Sequence, residues 1–267
     1  MRIIFLGDIV GRSGCNSIKK NLPNIIKKNK VDFVVVNGEN AADQGVGITE
    51  NITNELLSSG VDVITTGNHV WDQKETTEHI KLEKRLLRPH NLPSDLPGSG
   101  FGIFKSKGGF KVAVLNLMGN VFMKKSDNVF STAKNFLEKN TLKKNYDFLL
   151  VDFHGEITSE KMAIGNFFDG KATLIVGTHT HVPTNDARIL KLGSAYQTDA
   201  GMCGDYNSVI GMNLENSLNR FLGKDSKKHF PATGEATLCG VIVDADKETG
   251  LAKKINSFKF GGELTKI

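Results

Sequence analysis

The sequence predicts an α/β protein organised around buried strands, on three observations. Continuous apolar runs such as Phe33-Val34-Val35-Val36 and Phe148-Leu149-Leu150-Val151 suit strands covered on both faces. An amphipathic segment over 16–29 follows the first run, which sets the order strand, turn, helix. Five of the runs end on Asp, Glu, Asn or His, and the carboxyl ends of the strands form the binding edge of an open α/β sheet.

A chain of 267 residues can bury one substantial core, and a single domain over 1–267 is expected. The formal charge of +5 is a modest excess for this length. Its lysine pairs, among them Lys19-Lys20, Lys124-Lys125 and Lys227-Lys228, are scattered rather than gathered into a stripe, so they read as solvated helix faces. The excess favours a phosphorylated substrate, with RNA a weakly supported partner. The apolar run Ile3-Ile4-Phe5-Leu6 is too short for the core of a signal peptide, and no later run approaches a membrane span, so no membrane is expected and a cytoplasmic protein is. Cys15, Cys203 and Cys239 lack metal-binding spacing and read as free thiols in a reducing compartment.

Taken in order, Ile3 to Leu6 is the first strand, ending at Gly7-Asp8-Ile9-Val10-Gly11. The spacing of Gly7, Gly11 and Gly14 is not that of a dinucleotide-binding loop, and Asp8 would set a negative charge against a pyrophosphate. Phe33 to Val36 ends at Asn37-Gly38-Glu39-Asn40, and Val61 to Thr66 ends at Gly67-Asn68-His69-Val70-Trp71-Asp72. A helix is expected over Gln73 to Leu86, then surface loops through the Pro- and Gly-broken stretch to Gly109. His79 and His90 have no local partners there and read as structural or surface residues. Val112 to Leu117 is a strand that ends without a strong ligand, and 121–145 is loop followed by helix. Phe148 to Phe153 runs into His154-Gly155-Glu156, and Thr173 to Val176 into Gly177-Thr178-His179-Thr180-His181. Beyond Pro183, the short runs Ala187 to Leu190, Ser194 to Thr198, Thr237 to Val243 and Ser257 to Phe260 predict an antiparallel second sheet. Glycine-rich residues 199–211 read either as the mouth of a site or as an ordinary connection.

Two imidazoles two residues apart, on a loop leaving a buried strand, can aim their nitrogens at neighbouring points. That suits a pair of metal ions, although His-x-His alone reads equally well as one packed residue and one solvated residue. Oxygen ligands with imidazole and no thiolate favour iron, manganese or zinc over calcium. A carboxylate can bridge two such cations, and a hydroxide held between them is a nucleophile near neutral pH. A positioned histidine protonates a leaving oxygen, contributing roughly a hundred- to ten-thousandfold. Together these groups suit phosphoester hydrolysis.

Gly7-Asp8, Gly67-Asn68-His69, His154-Gly155-Glu156 and Gly177-Thr178-His179-Thr180-His181 resemble, in order, the signature of the calcineurin-like metallophosphoesterases. With Asn37-Gly38-Glu39-Asn40 and Val70-Trp71-Asp72 added, the sequence resembles the YmdB-type bacterial cyclic-nucleotide phosphodiesterases over essentially its whole length. The resemblance implies a two-sheet metallophosphoesterase sandwich flanked by helices in α-β-β-α layers. It also implies hydrolysis of 2′,3′-cyclic nucleotides, with 3′,5′-cyclic nucleotides as a further class, by a metal-bridging hydroxide. By position, Asp8, Glu39, Asn40 and His181 would hold one metal, and the bridging Glu39 with Asn68, His154 and His179 the other. The ions would be a divalent or mixed-valence pair, iron first and manganese next. His69 would be the proton donor, and Asp72 either orients it or starts the following helix. Val10 stands where the wider superfamily has histidine and Glu39 where it has aspartate; the narrower family shares both. Ser13 and Cys15 stand where Pro and Arg are expected, which removes any expected phosphate contact from the first loop. A homo-oligomer is expected. The rival functions are a nuclease on the same metals, or a regulatory protein that binds nucleotides without turnover.

Overall fold

Two six-stranded sheets pack face to face with helices outside them. In chain order the computed structural model, which describes residues 1–264, opens with β1 (Arg2–Val10), α1 (Gly11–Asn29), β2 (Phe33–Asn40), α2 (Glu50–Ser58), β3 (Val63–Thr65) and α3 (Thr76–Leu82). It continues with β4 (Phe101–Lys105), β5 (Lys111–Met118), α4 (Val129–Lys139), β6 (Phe148–His154), α5 (Thr158–Phe168) and β7 (Leu174–Thr178). The last elements are β8 (Arg188–Ile189), β9 (Ala195–Gln197), β10 (Met202–Asp205), α6 (Leu214–Phe221), β11 (Ala236–Ala245) and β12 (Ala252–Phe260). Positions 265–267, the end of the expected domain, lie outside the described residues. Among the described residues no helix is long and apolar enough to cross a membrane.

The four layers follow from the period of a strand, whose successive side chains point to opposite faces. Ile3 and Phe5 of β1, Phe33 and Val35 of β2, Val112 and Val114 of β5, and Phe148 and Leu150 of β6 meet between the sheets. Their neighbours Ile4, Leu6, Val34 and Val36 pack outward against Ile18, Leu22 and Ile25 of α1. On the other side Leu115, Leu149, Val151 and Ile175 pack against Phe136 of α4 and Ile164 and Phe168 of α5. Both faces of these strands are therefore apolar, which explains runs without alternation. Fully burying one such side chain contributes about 1.5–3 kcal/mol.

The first sheet runs β12-β11-β10-β1-β2-β3 and the second β4-β5-β6-β7-β9-β8. The expected antiparallel second sheet beyond Pro183 does not form. β9 instead adds parallel to β7, with β8 antiparallel to it, while β11 lies antiparallel against β1 and carries β12 at its edge. The late strands thus extend both existing sheets. The helix expected over Gln73 to Leu86 is shorter, because Glu83 turns extended and the chain then bonds along β3, Ile64 N donating to Arg85 O and Leu87 N to Ile64 O. The stretch expected as surface loops contains β4, antiparallel to β5. The five strand ends that carry the candidate ligands come from two sheets rather than one, β1 to β3 from the first and β6 and β7 from the second, and they meet at one edge of the sandwich.

Candidate metal centre

Local backbone irregularities aim each polar side chain. β1 shifts register against β2 on both sides of Asp8, a bulge of the kind that redirects a side chain at a sheet edge. Glu39 and Asn40 end β2, and His154 ends β6. Gly67 is required by contact: a Cβ there would collide with Glu39 Oε2 and with Cδ2 and Nε2 of His154. His179 and His181 have φ of 100° and 66°, a conformation that costs a non-glycine residue of order 1–3 kcal/mol.

His154 is fully buried, and its Nε2 lies 3.0 Å from Glu39 Oε1, 3.1 Å from Asn68 Oδ1 and 3.0 Å from His179 Nδ1. Ligand atoms of Glu39, His154 and His179 all fall within 4.8 Å of one another. Beside them Asp8 Oδ1 is 3.9 Å from His181 Nε2 and 3.8 Å from His154 Nδ1. Asp8 Oδ1 and Asn40 Oδ1 are buried and have no hydrogen-bond partner, although Asp8 Oδ2 accepts from His179 N at 3.1 Å and Asn40 Nδ2 donates to Gly45 O at 3.0 Å. His69 is at the rim. Its backbone N donates to Glu39 Oε2 at 3.2 Å, and its Nδ1 lies 2.6 Å from Asp72 Oδ2.

The partners behind the cluster fix which ring nitrogen faces inward. Thr178 Oγ1 donates to Asp152 Oδ1 at 2.7 Å, so it accepts from His154 Nδ1 at 2.9 Å, and Nε2 is left for the site. His181 Nδ1 donates to Ile210 O at 2.7 Å, and His179 Nε2 lies 3.1 Å from Glu156 Oε2. Each imidazole thus has its second nitrogen beside an oxygen, the arrangement that orients metal-binding histidines. Asp199 supports the loop between them: its Oδ2 accepts from Thr180 N at 3.2 Å and from Lys161 Nζ at 2.6 Å, with both side chains of the ion pair 1% exposed.

Burial pushes the Asp8 carboxyl up to about 7, against the pull of His181 and His154. Burial acts on Glu39 in the same direction, but His154, with His69 and His179, holds it down at about 2. For His154, burial opposes the charged ring, yet Glu39, then Asp8 and Asp152, raise it to about 9. Burial and then the charge on His154 lower His179 to about 3. One proton on His154 Nε2 therefore serves three surrounding acceptors. A largely buried cluster that collects lone pairs around one point, with two further oxygens unpartnered, fits divalent cations.

The predicted residues Glu39, Asn68, His154 and His179 come together within hydrogen-bond distance, and Asp8 and His181 adjoin them. Sequence reasoning did not single out Glu156, Asp152, Thr178, Asp199 or Lys161. Asp152 carried a signal, since a charge inside the run Phe148 to Phe153 must find a partner. The stretch 199–211 supplies Asp199 and the Ile210 carbonyl.

Over residues 4–258 the sequence matches the YmdB-like protein family. A Bacillus subtilis 2′,3′-cyclic-nucleotide 2′-phosphodiesterase is 44% identical over 255 residues, spanning 96% of this chain and 95% of the relative. A Mycoplasma pneumoniae structure described as a novel phosphatase superposes with a TM-score of 0.89 at 38% identity, covering 97% of this chain and 93% of that one. A hypothetical protein from Thermus thermophilus gives 0.88 at 38% identity, covering 97% and 99%. With the family matched from the first strand to the last, and a relative 44% identical along nearly its full length, the chain belongs to the YmdB-like protein family.

Proposed function

We propose that this chain is a phosphodiesterase that opens cyclic nucleotides, 2′,3′-cyclic ones first, with two metal ions of which iron is the leading candidate and manganese the next. The observation that carries the reading is the set of acceptors converging on His154 Nε2 beside the unpartnered oxygens of Asp8 and Asn40. The name borne by the Bacillus relative supports the substrate class. Asp8, Glu39, Asn40 and His181 would hold one ion, and Glu39, Asn68, His154 and His179 the other. When bound, the ions neutralise the phosphoryl oxygens and make water a nucleophile at neutral pH.

The chain's own residues supply the rest. His69 carries its Nδ1 proton toward Asp72, which leaves Nε2 as the position from which a proton passes to the leaving oxygen as the phosphorus–oxygen bond breaks. Glu39 Oε2 accepts from His69 N, so one carboxylate ties the proton donor to the cluster. The test is elemental analysis of anaerobically purified protein, followed by a cyclic-nucleotide panel with the metal found. Two metals per chain and turnover of 2′,3′-cyclic nucleotides are expected. Tight nucleotide binding with no hydrolysis across the panel would overturn the enzyme in favour of a regulatory protein.

A further inference from the structure

The segment between β5 and α4 crosses the rim of the cluster and is fastened on both sides. It leaves β5 beside His154, since Met118 pairs with His154 and Gly119 N donates to His154 O at 2.9 Å. Glu160 then accepts from Asn120 N at 2.9 Å and from Val121 N at 3.4 Å, while Asn120 Nδ2 closes back on Asp127 O at 3.0 Å. Farther along, Lys124 Nζ donates to Asn68 O at 2.6 Å and stands 3.5 Å from Asp72 Oδ1. The loop therefore bridges the strand that carries His154 and the turn that carries Asn68, His69 and Asp72.

Phe122 sits between these anchors with φ of 59°, in the left-handed region that bulky side chains rarely adopt, and it is 85% exposed. A lone exposed apolar residue is ordinary and needs no account. An aromatic residue held in a disfavoured conformation, on a braced loop at the edge of a polar cluster, gains nothing from packing to offset that conformation. Strained residues of this kind gather at ligand clamps. Two residues span at most about 7 Å, so the Phe122 backbone lies within that distance of the backbone of Lys124, whose side chain reaches Asn68.

We propose that Phe122 is the surface on which the nucleobase of the substrate stacks, with Lys124 fastening its loop beside His69. The inference rests on the phosphodiesterase reading and adds to it recognition of the base. An aromatic face takes any base, so the site is selective for nucleosides over other cyclic phosphates and tolerant among bases.

The test compares 2′,3′-cyclic AMP with ribose 2,3-cyclic phosphate, which has no base, on the metal-loaded protein. Phe122→Ala is expected to raise KM for the nucleotide roughly 5- to 150-fold, the range that loss of one base–aromatic stack produces, and to leave the base-free substrate unchanged. Phe122→Trp is expected to restore the nucleotide KM. An equal change on both substrates, or none on either, overturns the stacking role while the phosphodiesterase stands. A metal-loaded wild-type protein that cleaves neither substrate overturns both readings.

Discussion

His69 Nδ1 stands 2.6 Å from Asp72 Oδ2, and the other oxygen of that carboxylate faces Lys124 Nζ at 3.5 Å. The His69 and Asp72 side chains are 30% and 31% exposed, so the pair adds little to stability and its value lies in the tautomer it selects. His69→Ala is expected to lower kcat on 2′,3′-cyclic nucleotides by roughly a hundred- to ten-thousandfold, with both metals bound and the unfolding midpoint unchanged. Asp72→Asn should lose less, since the ring stays while its orientation loosens. Metal analysis beside steady-state kinetics decides the matter, and full activity in metal-loaded His69→Ala would remove His69 as the proton donor.

The buried pair of Lys161 and Asp199 bears on metal affinity rather than on the reaction. Asp199 accepts from Thr180 N, between the two strained histidines, and from Gly201 N at 2.8 Å, and Gly201 O in turn accepts from Asp8 N at 3.1 Å. Asp199→Asn is expected to weaken metal binding about 10- to 100-fold, the usual effect of losing a partner behind the ligands. That variant also leaves Lys161 charged and unpaired in the interior, which destabilises by about 3–5 kcal/mol. The double variant Asp199→Asn with Lys161→Met separates the two effects: stability should recover and metal affinity should not. Metal titration by calorimetry reads the outcome, and wild-type affinity in the double variant would show the pair to be structural only.

What the sequence made legible follows from burial. The strands of the sandwich are covered on both faces, so they appear as unbroken apolar runs, and each candidate ligand stands just past such a run. The convergence of Asp8, Glu39 and His154 was readable for that reason. The late strands were not assigned to their sheets, because a strand of three residues such as Ala195–Gln197 carries the same local pattern whichever sheet it joins. Leu86 falls at the end of the expected helix and instead pairs with Ile64 of β3, a choice made by a tertiary partner. The supports behind the candidate ligands were hidden for a similar reason. Thr178 matters only because Asp152 and His154 flank its hydroxyl, and two hydrogen bonds across strands leave no periodic mark.

The metal-free protein should lose stability as pH rises from roughly 7.5 to 8.5, and His154 is the cause. Its pKa is raised from 6.5 to about 9, chiefly because Glu39 overcomes the effect of burial, so its contribution is complete below 6.5 and lost as pH passes through 9. The neighbouring groups do not share that window. Asp8, raised to about 7, gives up its contribution between 3.8 and 7; His179, lowered to about 3, is neutral throughout; and Glu39, held at about 2, titrates far below. The slope reaches at most about 1.4 kcal/mol per pH unit for one proton. Metal loading should reverse the sign, since the ligands must shed their protons to bind and affinity then climbs with pH. Thermal unfolding in chelator and with saturating metal, across that window, measures both slopes. His154→Gln should flatten the chelated curve relative to wild type, while any share from the Met1 amine, which burial lowers from 8.0, stays equal in both proteins. A wild-type protein whose chelated melting temperature rises over this range would show that His154 does not hold the extra proton, and would place the positive charge of the metal-free cluster elsewhere.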